Sequence, residues 1–363
     1  MNPTTYARRS LVIALLAWAA PYAGASQSDH RLDIYWTDVE GGGATLIVTP
    51  AGESILIDSG NPGDRDAGRI RHTAADIAGL KKIDYLITTH FHNDHYGGAA
   101  ELSTLIPIGQ VYDRGVPELD PDHRPNADGL WLQLIAPYRA FAADGRNFVT
   151  PGVVLPLKQA EGSPHVRMRC VASGGALIDA SPGLPPNPLA GENVHHDLAS
   201  SDNDLSSAWV LDFGPFRFWD GGDLTWNMEG RLVTPVNRVG QVDVYQTDHH
   251  GLDWSNNTVF IHSLAPTVSV MNNGPVKGTA ASTIAGLTSS PGIQAMYQLH
   301  KNLRPGEAQN NTADEFIANF ASDANHKDAN IIKLSVDPSG TSYTVSIPAK
   351  GYSRTFQTRL DKP

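Results

Sequence analysis

Thr89-His90-Phe91-His92-Asn93-Asp94-His95 follows a short apolar run, Ile83–Thr88, and runs into Gly97-Gly98. Its last six residues hold three histidines and one carboxylate. Neutral imidazole nitrogens and carboxylate oxygens suit Zn²⁺ and similar divalent ions. In an extended segment alternate side chains share a face, so His90 and His92 point the same way and can hold one ion. Asp94 and His95, past the turn, can face a neighbouring ion. The glycines behind them permit the tight backbone turn. Taken alone, the run also reads as a surface patch of histidines, and its neighbours in the chain decide between the two.

Outward from this run, two other segments put ligand-type residues just after a strand signal. Gly221-Gly222-Asp223 follows Phe216–Trp219, and His249-His250-Gly251 follows Val242–Tyr245. Loops leaving the carboxyl ends of strands are where open α/β sheets place their sites. The rest of the chain alternates strand and helix patterns. Arg31–Thr37 reads as a half-buried strand, and Ala44–Thr49 and Ser54–Asp58 as strands around a turn. Ser207–Phe213 and Phe216–Asp220 read as a pair turning at Gly214-Pro215, with Thr267–Met271 as a further strand. Helical spacing covers Ala67–Leu80, Gly98–Leu105, Leu130–Ala143 and Thr312–Phe320. Ile331–Val336 and Ser342–Ile347 read as a closing hairpin. The expectation is α/β layers with sheet at the centre. Residues 107–205 carry Pro- and Asp-rich loops and read as a loop-rich insertion or lid within one domain spanning 26–363. Trp131, Tyr138 and Phe141 in that stretch, at helical spacing, read as packing.

The chain has 363 residues, of which 40% are hydrophobic and 18% charged. That excludes a coiled coil, a collagen and a disordered tail. Arg8-Arg9, the apolar run Leu11–Ala20 and Ala23-Gly24-Ala25 read as a signal peptide over residues 1–25, with a weak twin-arginine pattern. The expected location is periplasmic or secreted, with no transmembrane anchor after cleavage. Residues 1–25 hold two arginines and no acid, so their loss moves the formal net charge from −11 to −13. Such a charge disfavours a long nucleic acid and favours a small-molecule or short phosphoester substrate. Cys170 is the sole cysteine, so no intrachain disulfide forms, and it reads as a buried small hydrophobe.

In order, Leu56-Ile57-Asp58-Ser59-Gly60, the His90–His95 run, Gly222-Asp223 and His249-His250-Gly251 resemble the metallo-β-lactamase superfamily, over roughly Arg31 to His300. The resemblance implies a four-layer αββα sandwich with two divalent ions at one sheet edge, Zn²⁺ first and Mn²⁺ or Fe as alternatives. It implies that His90 and His92 bind the first ion, and that Asp94, His95 and His250 bind the second. Asp223 would bridge both, His249 would face the substrate, and Asp58 would orient the histidine loop. The sequence departs from the pattern at one place. The first ion's third ligand is a histidine some twenty residues before the bridging aspartate, and here that position is Asn203. His195 and His196 are the nearby alternatives, and a single-ion enzyme also fits. The Asn/Ser-rich segment, the His-His-Gly ending and Asn272-Asn273-Gly274 resemble one branch, the nuclease-like domain of the DNA-uptake protein ComEC.

The implied function is an exported hydrolase using a metal-bound hydroxide on phosphodiester or phosphate-ester bonds. Asp94 and Asp223 would orient the water and shuttle its proton. His249 and Lys277 would steady negative charge on the substrate, although Lys277 also reads as an ordinary solvated lysine. Asn203 and His300 are further substrate-side residues, and His300 reads equally as a surface histidine. Carboxylic ester, lactone or β-lactam hydrolysis rests on the same chemistry. An iron oxidoreductase would need a flavin or thiol partner that the sequence does not show. A non-catalytic metal-binding protein is the alternative of another class, and Asn203 is the residue that favours it.

Overall fold

Two sheets stack face to face in a computed structural model that describes residues 29–321 and 329–360. The leader expected over residues 1–25 lies outside the described residues. The first sheet is entered by β1 (Leu32–Trp36), β2 (Thr45–Val48) and β3 (Ser54–Ile57), an antiparallel meander. It continues in parallel through β4 (Ile83–Ile87), β5 (Ile108–Asp113) and β6 (Gly145–Phe148). The chain then crosses to the second sheet. There β7 (Val166–Ser173), β8 (Ala176–Leu177), β9 (Ala208–Phe213) and β10 (Phe216–Asp220) are antiparallel neighbours. From β10 the sheet runs parallel through β11 (Val244–Gln246), β12 (Val268–Met271), β13 (Ala295–His300) and β14 (Ile317–Asn319). β15 (Ile332–Val336), β16 (Ser342–Ile347) and β17 (Tyr352–Gln357) return to the first sheet, where β15 pairs antiparallel with β1.

Three apolar layers follow. The central one joins Ile34, Trp36 and Ile57 of the first sheet to Trp209, Leu211 and Phe218 of the second. Trp36 meets Phe218 edge to face at 5.8 Å across this seam, worth about 1 kcal/mol beyond area burial. Its indole nitrogen also donates to Gln246 Oε1 at 2.7 Å, tying the two sheets near the site end. Outside the first sheet lie α1 (Asp64–Arg71), α3 (Ala99–Leu105) and α4 (Asp128–Ala140), with the single turn α2 (Asn93–Tyr96) between them. Outside the second lie α5 (Trp226–Val233), α6 (Thr258–Leu264) and α7 (Ala281–Thr288). Helix, sheet, sheet, helix is the expected αββα sandwich.

Several local expectations change. From Leu32 on, the strand expected over Arg31–Thr37 has no wet face: Asp33 is buried and bonded to Lys333 at 2.9 Å and to the Tyr35 hydroxyl at 3.0 Å. The Ala67–Leu80 helix is α1 followed by a π-helical stretch, His72–Ile77. Thr312–Phe320 is not a helix. After a short turn, Ile317 and Asn319 pair with Gln298 and His300 of β13, so tertiary pairing overrides local spacing. The hairpin Ile331–Ile347 does not close the sheet, because β17 adds a further strand. Residues 107–205 are not one insertion: they supply β5 and β6 to the first sheet and β7 and β8 to the second. Between those strands and α4 lie loops and two short 3₁₀ turns, Ala190–Glu192 and Asp202–Leu205. Trp131 and Tyr138 pack under the first sheet, as expected.

The parallel strands fix the site. β3 and β4 of one sheet and β10, β11, β12 and β13 of the other end at the same edge, so the loops carrying Asp58, His90, Asp223, His250, Asn272 and His300 converge there.

Candidate metal centre

The site is built on backbone that most residues avoid. Asp58, His249 and His250 have φ of 61°, 51° and 55°, in the left-handed region. Such positions cost on the order of 1 kcal/mol or more each and gather where function holds them. Gly222 has φ of 57°, and a Cβ there would lie 2.7 Å from Thr89 Cβ. Only glycine lets the Asp223 loop settle against the histidine loop.

Asp223 sits at the centre, buried, with its two oxygens facing different groups. Oδ1 lies 3.1 Å from His95 Nε2 and 3.3 Å from His250 Nε2. Asp94 Oδ2 lies 3.6 Å and 3.3 Å from the same two nitrogens. Oδ2 of Asp223 lies 3.8 Å from His90 Nε2 and 3.5 Å from His249 Nε2. Asp94, His95, Asp223 and His250 thus form one set of convergent ligand atoms, and His90, His92 and Asp223 form a second.

The residues fit divalent ions on their own hydrogen bonding. His95 Nδ1 bonds to Asp58 Oδ2 at 2.6 Å, and His250 Nδ1 to the Asn272 carbonyl at 3.3 Å. Both acceptors need a proton on Nδ1, so both Nε2 atoms present lone pairs. Those lone pairs face each other at 3.2 Å. Two acceptors that close repel each other unless a proton or a metal cation lies between them. Zn–N distances of ~2.0–2.1 Å in a tetrahedron put ligand atoms ~3.3 Å apart, which the separations in this set straddle. His90 Nε2 and Asp223 Oδ1 are buried with no hydrogen-bond partner, a costly state for polar atoms without a ligand.

With no metal ion bound, burial is outweighed by the carboxylates of Asp223, Asp58 and Asp94, which push His95 well above the usual imidazole range, so a proton takes the place a cation would hold. Burial pushes the Asp223 carboxyl up, but His250, His95 and His249 outweigh it and hold the group well below the usual carboxylate range. Asp94 behaves alike: burial is outweighed by His95, Lys277 and His250. Burial, helped by His95, drives His90 far down, so it stands neutral. Burial also lowers His249 to about 4. At neutral pH it is a neutral, buried imidazole. Its Nε2 is 3.3 Å from the Asn203 side-chain amide, and its Nδ1 is 3.2 Å from the Ser255 hydroxyl.

Asp58 holds the histidine loop, accepting from the Thr89 amide and hydroxyl at 2.8 Å each as well as from His95. Lys277 is not simply solvated: its ammonium pairs with Asp94 at a partly open edge, where the side chains are 34% and 20% exposed. Asn203 is buried beside His249. Neither alternative third ligand reaches the cluster. His195 is exposed, and His196 stacks flat on Trp226 at 4.1 Å. His300 neither lies on the surface nor meets the cluster. It is buried against Asp38 Oδ1 at 2.7 Å, in a group where Arg69 already supplies the cation to Asp38 and Glu40, at 3.3 Å and 3.0 Å.

Two functional side chains escaped sequence reasoning. Asp122 places both carboxylate oxygens 3.1 Å from His92 Nε2, and this bond lowers its own pKa to about 2. Asp202 accepts from the Phe91 amide at 2.6 Å. Neither lies in a recognisable motif, and only their proximity in the fold reveals them.

Residues 38–167 match the family model of the metallo-β-lactamase superfamily. That stretch of the chain is thus similar to the superfamily, and the two-sheet α/β architecture agrees with it. Among curated relatives, it is 24% identical over 223 residues to a UPF0173 metal-dependent hydrolase of Cupriavidus necator, covering 60% of this chain and 64% of that protein. It is 22% identical over 266 residues to the competence protein ComA of Neisseria gonorrhoeae, covering 73% of this chain and 30% of that protein. The chain thus spans less than two thirds of either relative. Among solved structures, Zn²⁺-bound PqqB from Methylobacterium extorquens aligns at 13% identity and a TM-score of 0.40, covering 73% of this chain and 97% of that one.

Proposed function

We propose that the chain is an exported metal-dependent hydrolase holding two divalent ions, zinc first, and cleaving phosphodiester or phosphate-ester bonds. The observation that carries this reading is Asp223. One of its oxygens joins the Asp94–His95–His250 set, and the other turns toward His90 and His249. Ions held there would lower the pKa of a water toward ~7 and draw negative charge from a phosphoryl or carbonyl oxygen. His90, His92 and Asp223 would hold the first ion, and Asp94, His95, His250 and Asp223 the second. Asp94, more exposed than Asp223, would orient an attacking water and help shuttle its proton. Lys277, paired with Asp94 and partly exposed, is placed to meet substrate oxygens. His249, neutral and fixed by Ser255, orients rather than neutralises.

The phosphoester class draws support from the likeness to a competence protein and from the lysine at the mouth. The acidic chain favours a short substrate over a long polyanion. Export rests on the leader pattern at residues 1–25; among the described residues no helix is long and apolar enough to cross a membrane. The test is turnover of bis-p-nitrophenyl phosphate, a lactone and nitrocefin by the zinc-loaded protein beside Asp223→Ala. Phosphodiester turnover lost in the variant supports the reading. Lactone or nitrocefin turnover in its place replaces the substrate class. Bound metal with no turnover on any of the three returns the chain to a metal-binding role, which Asn203 in place of a histidine would explain.

A further inference from the structure

We propose that Asp122 is the positioning residue of the first metal site, accepting the hydrogen bond of His92 Nε2–H and committing His92 Nδ1 to the ion. The inference rests on the two-ion reading above. His92 offers two nitrogens, and both oxygens of Asp122 stand 3.1 Å from Nε2. A neutral imidazole that donates its Nε2–H to a carboxylate has its lone pair on Nδ1. The ring stands edge-on to His90, with centroids 4.7 Å apart. Asp122 is itself held in place, because the Asp202 amide donates to its Oδ1 at 3.0 Å. Asp202 in turn bonds the Phe91 amide and pairs with Arg114. Two carboxylates from distant loops therefore clamp the His90–His92 segment, one on its backbone and one on its outer imidazole.

This arrangement bears on the departure at Asn203. A site with only His90, His92 and Asp223 as charged or imidazole ligands lacks one strong donor. A carboxylate behind a ligating histidine makes that imidazole more basic and fixes its tautomer, and loss of such a partner lowers metal affinity about 10–100-fold. Asp122 makes the two remaining histidines a stronger pair. The loop Pro117–Asp128 that carries it thereby becomes part of the metal centre rather than a detached cover.

The experiment is zinc binding by the full chain, measured by chelator competition, for wild type, Asp122→Ala, Asp122→Asn and His90→Ala. Long-range nitrogen–proton spectra of histidine-labelled protein run alongside. Wild type is expected to take two ions and His90→Ala one. Asp122→Ala should bind its weaker ion about 10–100-fold less tightly with the other unchanged. Asp122→Asn, which keeps a hydrogen-bond acceptor, should fall between. In the zinc form the His92 spectrum should show a proton on Nε2 and metal on Nδ1, a signature that a merely structural role would not produce. Unchanged affinities in both variants, equal loss of both ions in Asp122→Asn, or metal on Nε2 would overturn the assignment while leaving the two-ion reading intact. Wild type that takes no second ion would overturn the two-ion reading itself, and the assignment with it.

Discussion

Replacing Asp58 by Asn should weaken binding of the second ion without unfolding the protein. Asn is the informative change because Asp58 has φ of 61°, a conformation that Asn tolerates and that Ala does not. The new amide can still accept from the Thr89 amide through its oxygen. Its NH₂ group then faces Thr89 Oγ1 and His95 Nδ1, where the carboxylate oxygen accepted at 2.8 Å and 2.6 Å. A donor opposite Nδ1–H is repulsive, so His95 moves its proton to Nε2. That nitrogen is the one facing Asp223, Asp94 and His250, and once protonated it cannot ligate. The expected loss is about 10–100-fold in affinity for one of two ions, or roughly 1.4–2.8 kcal/mol. Chelator competition measures it, and thermal unfolding of chelator-treated protein separates it from a folding defect. Wild-type affinity at both sites in folded Asp58→Asn would refute the tautomer argument.

Three further outcomes follow from the same geometry. Asp223→Ala should lose both ions and His90→Ala only one, because Asp223 alone faces both ligand sets; metal analysis after dialysis distinguishes them. In metal-free protein His249 is held down to about 4 by burial, so below its unfolded pKa the unfolded chain binds a proton that the folded chain does not. Stability from this group is present at neutral pH and lost as pH falls from ~6.5 toward ~4. The unfolding free energy of wild type minus that of His249→Asn should therefore drop by roughly 3 kcal/mol between pH 7 and 4 in urea titrations; an invariant difference would contradict it. Cys170 is buried and its thiol is pushed up to about 12, so a disulfide reagent should label it only after unfolding.

What the sequence made legible follows from where the chemistry is concentrated. His90, His92, Asp94 and His95 stand within six residues, and their glycine-flanked turn is local, so their shared site can be read without a fold. Asp223 and His250 were readable because each follows a strand signal. Asp122 was not, because it lies on a Pro-rich loop thirty residues beyond His92 and meets it only through tertiary folding. Lys277 is ambiguous in sequence for the same reason: its partner Asp94 is on the other sheet's loop. β6, Gly-Arg-Asn-Phe, is a polar edge strand with no alternation to mark it. The helix expected over Thr312–Phe320 fails because its backbone is used by β13. Its hydrophobic spacing is real, but Phe316 spends it packing edge-on against Tyr297 at 5.2 Å.

The most direct test of the metal centre is anomalous diffraction from crystals of the zinc-loaded protein. Two peaks are expected, one among Asp94, His95, Asp223 and His250 and the other among His90, His92 and Asp223, with Asp122 still bonded to His92 Nε2. A single peak that does not touch Asp223, or none, would contradict this expectation.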